Sequence, residues 1–284
     1  MKIIGVCFWV TTKCNLKCNI CYAYLNSVKN NSTDGYLKII NKLQQLEIKK
    51  IAFTGGDPLL VKDLDIILAN AKSKGFKVAL TTNALLVNEE KLSILENIIH
   101  ELSIPMDGFS AEVSQIHRTK KYNLENIKHL IRKSEKYNIR IDVSTVITRI
   151  NQHEILRILD FLEENKIYKW KCFQYSQLDK PKGMKIDFNI STQEFTTVRN
   201  EITKTIRYNK YNIQVDFRGN DPSAINSYVN VLPNGKLILS KKNKYVFIGN
   251  ILDYSSSNEL SYLLVENGFS FFKHHERHFR DAQT

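Results

Sequence analysis

Apolar residues along this chain follow two alternating rhythms. Short β-branched or apolar runs exchange with stretches in which apolar positions recur every three or four residues, the period of a helix with one buried face. The first run covers about 3–11, and a helix is predicted over about 34–47 with Leu37, Ile40, Leu43 and Leu46 on one face. Strand 51–54 precedes a helix over about 58–73, with Leu64, Ile67, Leu68 and Ala71 in phase; strand 77–82 precedes a helix around 89–98. Strand 101–106 leads to a helix near 122–137 carrying Leu124, Ile127 and Ile131. Strand 140–148 leads to one at 153–164 carrying Ile155, Ile158, Leu159 and Leu162, and strand 169–175 is the sixth.

Six such units predict parallel strands joined by right-handed helical crossovers, hence a partial or complete βα barrel or a doubly wound sheet. Either fold puts its chemistry at the strands' C-terminal ends. Beyond residue 178 the rhythm changes to a Lys/Gly/Pro loop, a helix near 191–208, a strand near 213–217, a hairpin turned by Pro233-Asn234-Gly235, and a polar C-terminal helix. The expected organisation is a barrel over 1–178 with a small C-terminal α+β cap over 179–284 and no second core.

Composition narrows the class. With 43% apolar and 25% charged residues in 284, and no apolar run near the roughly 20 residues a bilayer demands, the chain reads as globular, without a membrane span. The opening apolar segment lacks a small-x-small cleavage site and is expected to be a buried strand rather than a leader. A net charge of +12, spread without a long basic block, favours anions and suits an anionic small molecule as well as nucleic acid. Of 5 cysteines, Cys7 and Cys172 stand alone in apolar runs and the other three cluster, which is no disulfide framework and fits a reducing cytoplasm.

The cluster is Cys14-Asn-Leu-Lys-Cys18-Asn-Ile-Cys21, three thiols directly after the first strand. The same spacing is a helical stripe, but Leu16 and Ile20 lie off the thiol face and polar residues interrupt it. A structural zinc site needs a fourth ligand, and no second close pair follows in the strand-helix region, so three cysteines leave one coordination position open. His274, His275 and His278 include a helical i, i+4 pair without a nearby acid or cysteine, and are expected on a solvated surface helix. Tyr208, Tyr211, Arg207 and Lys210 are expected at a helix end on the surface.

The cysteine segment resembles the radical S-adenosylmethionine superfamily, whose C-x3-C-x2-C loop follows strand one of a partial barrel. The resemblance implies a partial (βα)6 barrel, a 4Fe-4S cluster on Cys14, Cys18 and Cys21, and S-adenosylmethionine on the open iron. Reductive cleavage would then yield a 5′-deoxyadenosyl radical that abstracts hydrogen from a substrate. Thr54-Gly55-Gly56-Asp57-Pro58 resembles the Gly-Gly-Glu-Pro turn that receives the cofactor's ammonium, although Asp57-Pro58 is also an ordinary helix start. Thr81-Thr82-Asn83 stands where the family has Thr-Asn-Gly, and Arg118 follows Asp107-Gly108-Phe109 where relatives place an arginine near the cofactor carboxylate.

Among subfamilies, Lys50-Ile51-Ala52-Phe53-Thr54-Gly55-Gly56, Val146-Ile147-Thr148-Arg149-Ile150-Asn151 and Trp170-Lys171-Cys172-Phe173-Gln174 look most like viperin-type nucleotide enzymes, with the molybdenum-cofactor cyclases next. That likeness implies a nucleoside triphosphate, or another phosphorylated small molecule, beside Lys50 and Lys171, both expected at cofactor-facing strand ends. The departures are Asp57 for Glu, Ala52 for Asn, Ala84 for Gly, and Ile20 at a cofactor-side position where an aromatic is commoner. The membrane-associating extension of animal viperins is not expected, and nothing after Cys172 suits an auxiliary cluster, which argues against multi-cluster peptide-maturing relatives. The implied partner is a low-potential donor of flavodoxin or ferredoxin type. A peptide, a sugar or a cofactor precursor stays open as substrate, as does an iron-sulfur or zinc protein that contacts nucleic acid without turnover.

Overall fold

A computed structural model describes residues 2–23, 28–176, 186–221, 226–241 and 244–282. Strand β1 (Gly5–Thr11) is followed by helix α1 (Thr33–Gln45), β2 (Lys50–Gly55), α2 (Leu64–Ser73), β3 (Lys77–Thr81), α3 (Glu89–Leu95) and β4 (Glu101–Pro105). Two helices, α4 (Ala111–His117) and α5 (Leu124–Lys133), precede β5 (Arg140–Ile147); α6 (Ile155–Glu164), β6 (Lys169–Gln174), α7 (Thr192–Asn209) and β7 (Gln214–Arg218) complete the alternation. Strands β1 to β7 pair in sequence order, all parallel. The unit count is therefore seven, because the strand expected in the cap extends the barrel sheet instead.

The C-terminal elements join the same sheet. Strand β8 (Asn230–Val231) runs parallel to β1 on its free side, and β9 (Lys236–Lys241) and β10 (Lys244–Asn250) continue it antiparallel. The Pro233-Asn234-Gly235 turn joins β8 to β9, with Gly235 at φ 82°, in the left-handed region that favours glycine. Helices α8 (Ser257–Glu266) and α9 (Phe271–Ala282) follow. Leu260, Leu264, Phe269 and Phe271 share the hydrophobic core of the barrel strands. The Lys/Gly/Pro loop expected after residue 178 falls largely outside the described residues. No helix among the described residues is long and apolar enough to cross a membrane.

Alternation along each strand decides what faces where. On β2, Ile51 and Phe53 are fully buried and belong to the core under the helices, whereas Lys50, Ala52 and Thr54 take the opposite, inward face. The matching inward positions include the small Cys7, Ala79, Thr81, Ser103 and Ser144 together with the larger Trp9, Val146 and Phe173.

The C-terminal helix corrects one expectation. Rather than lying solvated on the surface, α9 packs across the N-terminal end of β1. His274 is buried; its Nε2 accepts the Ile4 N–H at 3.0 Å while Nδ1 donates to the Ser227 carbonyl at 3.0 Å. His278 lies so close to Gly5 that a Cβ there would come within 2.8 Å of its ring. The polar composition that suggested solvent instead serves backbone groups at the strand's start.

Candidate active site

The loop after β1 carries the three thiols, and the end of β2 and the end of α4 fix its position. The Gly56 N–H donates to the Thr11 carbonyl and the Asp57 N–H to the Lys13 carbonyl, each at 2.8 Å. This close approach requires glycine: a Cβ at Gly55 would lie 2.0 Å from Thr11 O, and one at Gly56 2.0 Å from Lys13 O. From the other side, the Asn19 N–H and side-chain amide donate to the carbonyls of His117 and Ile116 at 2.9 and 2.8 Å, tying the loop to the end of α4.

None of the three cysteines is in a disulfide; Cys14 is exposed and Cys18 and Cys21 are half-buried. Among the described residues no three Cys, His, Asp or Glu side chains are gathered as a metal-holding group, so the thiols share a loop without converging. Their surroundings nevertheless suit thiolates. Cys14 Sγ accepts from the Leu16 N–H at 3.4 Å and the Asn83 amide at 3.6 Å, and Arg118 donates to Cys18 Sγ at 3.9 Å. Burial pushes the Cys18 thiol up, and the Arg118 guanidinium opposes it. N–H donors and a cation aimed at sulfur are what an iron-sulfur cluster's ligand set asks for, so these residues fit that group.

Arg118 is held in turn by Asp107, whose Oδ2 accepts from Nε at 2.5 Å while Oδ1 accepts the Val146 N–H at 2.7 Å. The Asn151 amide donates to the carbonyls of Asp107 and Val146, both at 2.8 Å, and its oxygen accepts the Thr148 N–H. The 146–151 segment, legible in the sequence only as a family mark, thus braces the arginine from behind.

Asp57 makes the helix-start contacts that its place before Pro58 offered. It is fully buried; its carboxylate accepts from the Leu59 N–H at 3.0 Å, the Asn83 N–H at 2.9 Å and the Thr82 hydroxyl at 2.8 Å. Burial raises its pKa against these donors. The side chain caps the turn at Pro58 and pins the end of β3. Through it, Asn83 is set to bridge Cys14 and Asn15, the latter at 2.6 Å. Ala84 sits at φ 64°, which explains why glycine is the family's habit there. Ile20 is buried in the core, as an apolar replacement for an aromatic requires.

Lys50 and Lys171 differ from expectation in position. Lys50 opens β2 and Lys171 is third on β6, so they lie toward the N-terminal ends, below the small inward residues and away from the cysteine loop. Both meet Glu101, the first residue of β4, which sequence reasoning had not singled out. A lone acid opening an apolar strand carries little signal by itself; its inward register beside lysines on alternate strands is the feature that marks it.

Comparison with known proteins bears on the family and the fold. The profile of the Radical SAM superfamily matches residues 10–162. An S-adenosylmethionine-dependent nucleotide dehydratase of Flammeovirga pacifica is 26% identical over 263 residues, covering 88% of this chain and 87% of that protein. A GTP 3′,8-cyclase of Clostridium perfringens (strain 13 / Type A) is 26% identical over 167 residues, 56% of this chain and 51% of the cyclase. Among solved structures, Streptococcus suis SuiB bound to S-adenosylmethionine shares the fold at a TM-score of 0.73 and 16% identity, over 88% of this chain and 64% of that one.

Proposed function

The chain belongs to the radical SAM superfamily, and from that premise we propose that it is a single-cluster enzyme acting on a nucleotide inside the barrel. Its cofactors are those of the superfamily, a 4Fe-4S cluster and S-adenosylmethionine. The observation that carries the substrate is the reach of the likeness to the nucleotide dehydratase, which spans nearly the whole of both proteins instead of the barrel alone. The GTP 3′,8-cyclase among the relatives supports the same substrate class.

In this reading Cys14, Cys18 and Cys21 hold the cluster, which supplies, when reduced, the electron for cleaving the bound sulfonium. The Gly55-Gly56 backbone, Asn83 and Arg118 hold S-adenosylmethionine, with Arg118 facing its carboxylate and Asp57 positioning the turn. Lys50 and Lys171 form the basic floor toward which the nucleotide's anionic end points. The buried Leu16 and Ile20 side chains anchor the cysteine loop to the core. The electron comes from a low-potential flavodoxin or ferredoxin in a reducing cytoplasm, and the net reaction is that of an oxidoreductase or a lyase.

Anaerobic reconstitution tests this. The protein is expected to cleave S-adenosylmethionine on reduction, faster when nucleosides or nucleotides are added, and to lose both its cluster absorbance and cleavage when Cys18 is replaced by Ala. Stimulation by a sugar or a peptide with all nucleotides inert would overturn the substrate. A cluster indifferent to S-adenosylmethionine would leave a binding protein without turnover.

A further inference from the structure

Two stretches of this chain carry no acid, and they meet at the cysteine loop. Residues 1–33 contain no Asp or Glu, and neither do residues 113–124, which run from α4 past its end to α5. The Asn19 hydrogen bonds to His117 and Ile116, and the Arg118 contact with Cys18 Sγ, hold the two stretches together. Lys13 and Lys17 bracket Cys14 and are exposed, as that thiol is. Lys120 and Lys121 are exposed just beyond Arg118, and none of these four lysines makes an ion pair with a described residue.

The acids around this rim are already engaged. Asp107 is buried against Arg118, and Glu125 lies 3.1 Å from Lys128. Between α4 and α5 a cavity of about 290 Å³ opens beside Lys120 and Lys121, with Gln115 and Asn123 also on its wall. The rim therefore presents uncompensated positive charge around the most exposed of the three thiols, where a field of one sign steers an anionic partner into place. A protein that delivers one electron and leaves again suits such a surface, since transient redox encounters are small and charge guides their association more than it tightens them. Nucleic acid fits less well: Tyr122, the aromatic residue of the second stretch, is buried and donates to the Pro105 carbonyl at 2.6 Å, so it offers no face for base stacking.

Resting on the single-cluster reading of this site, we infer that the rim formed by Lys13, Lys17, Lys120 and Lys121 is the docking surface of a small acidic one-electron carrier protein. On each encounter the carrier loses one electron, the cluster gains it, and no atom changes hands.

The test pairs binding with turnover. An acidic flavodoxin titrated into the cluster-loaded protein is expected to bind less tightly as salt rises from about 0.1 M to about 1 M, over which the screening length shrinks from about 10 Å to about 3 Å. At the lower salt, Lys120→Glu/Lys121→Glu is expected to weaken that affinity at least about tenfold and to slow flavodoxin-driven cleavage of S-adenosylmethionine in step. Cleavage driven by dithionite, which needs no docked partner, is expected to stay as in the wild type. Lys204→Glu/Arg207→Glu makes the same change of charge near the end of α7, at the opposite end of the strands, and is expected to leave flavodoxin binding unaltered. Flavodoxin that does not bind at low salt, equal weakening in the two double variants, or a single-stranded RNA that binds the rim more tightly than flavodoxin does would each overturn the inference. Wild-type protein that carries a cluster yet cleaves no S-adenosylmethionine with dithionite overturns the radical-enzyme reading itself, and this inference with it.

Discussion

Ala84 shows how one residue records a compromise. Its backbone at φ 64° places Cβ against the neighbouring carbonyl, a conformation costing an L-residue about 1–2 kcal/mol, yet the Thr82 hydroxyl holds it there by accepting the Ala84 N–H at 3.1 Å. Ala84→Gly removes the strain but gives the unfolded chain more freedom, so a net stabilisation of about 0.5–1 kcal/mol is expected in urea denaturation. The thiols, the Gly-Gly turn and Asn83 were legible because their spacing is local. What Asp57 does was not, since capping and cofactor binding use the same residue type at the same place. Glu101 escaped for a related reason: its meaning comes from residues on β2 and β6, about 50 and 70 positions away.

At the scale of elements, periodicity recovered the strands and most helices because side-chain alternation depends only on near neighbours. Helix α4, with 7 residues, was too short to show a period, and the helix expected from 58 divides into a single tight turn at Pro58–Leu60 and α2. The misreading of α9 has a measurable counterpart. Burial, with a smaller contribution from Arg277 and His275, lowers the His274 pKa to about 4, and a ring nitrogen that accepts the Ile4 N–H has to stay unprotonated. The unfolded chain takes up this proton near the ordinary value of about 6.5. The stabilisation is therefore fully present above pH about 6.5 and is lost as pH falls through about 4, amounting to about 3 kcal/mol across that window. Denaturant titrations over this range are expected to show the loss in the wild type and a flatter profile in His274→Gln.

At the scale of the molecule, ten strands among the described residues form one sheet, and β1 lies inside it between β2 and β8. This pairing was not legible from local pattern, because β8 is a 2-residue strand placed beside β1, where the Trp9 indole donates to Asn230 at 3.1 Å across 221 positions. Barrel and C-terminal strands are consequently expected to unfold together: removing residues 269–284 should abolish a single cooperative transition and produce dye-binding apolar surface, whereas two separate transitions in the intact chain would show independent units.

That placement of β1 also has a consequence in time. Its first neighbour is complete at Gly55, but its second is not made until Val231, a delay on the order of 10–35 s at typical rates of protein synthesis. Throughout that interval the strand that carries the cysteine loop has an open edge, and the acceptor for the Ile4 N–H comes later still. Iron offered early therefore meets thiols on an unfinished scaffold, and anything that slows the ribosome lengthens their exposure to oxidation before the barrel can shelter them.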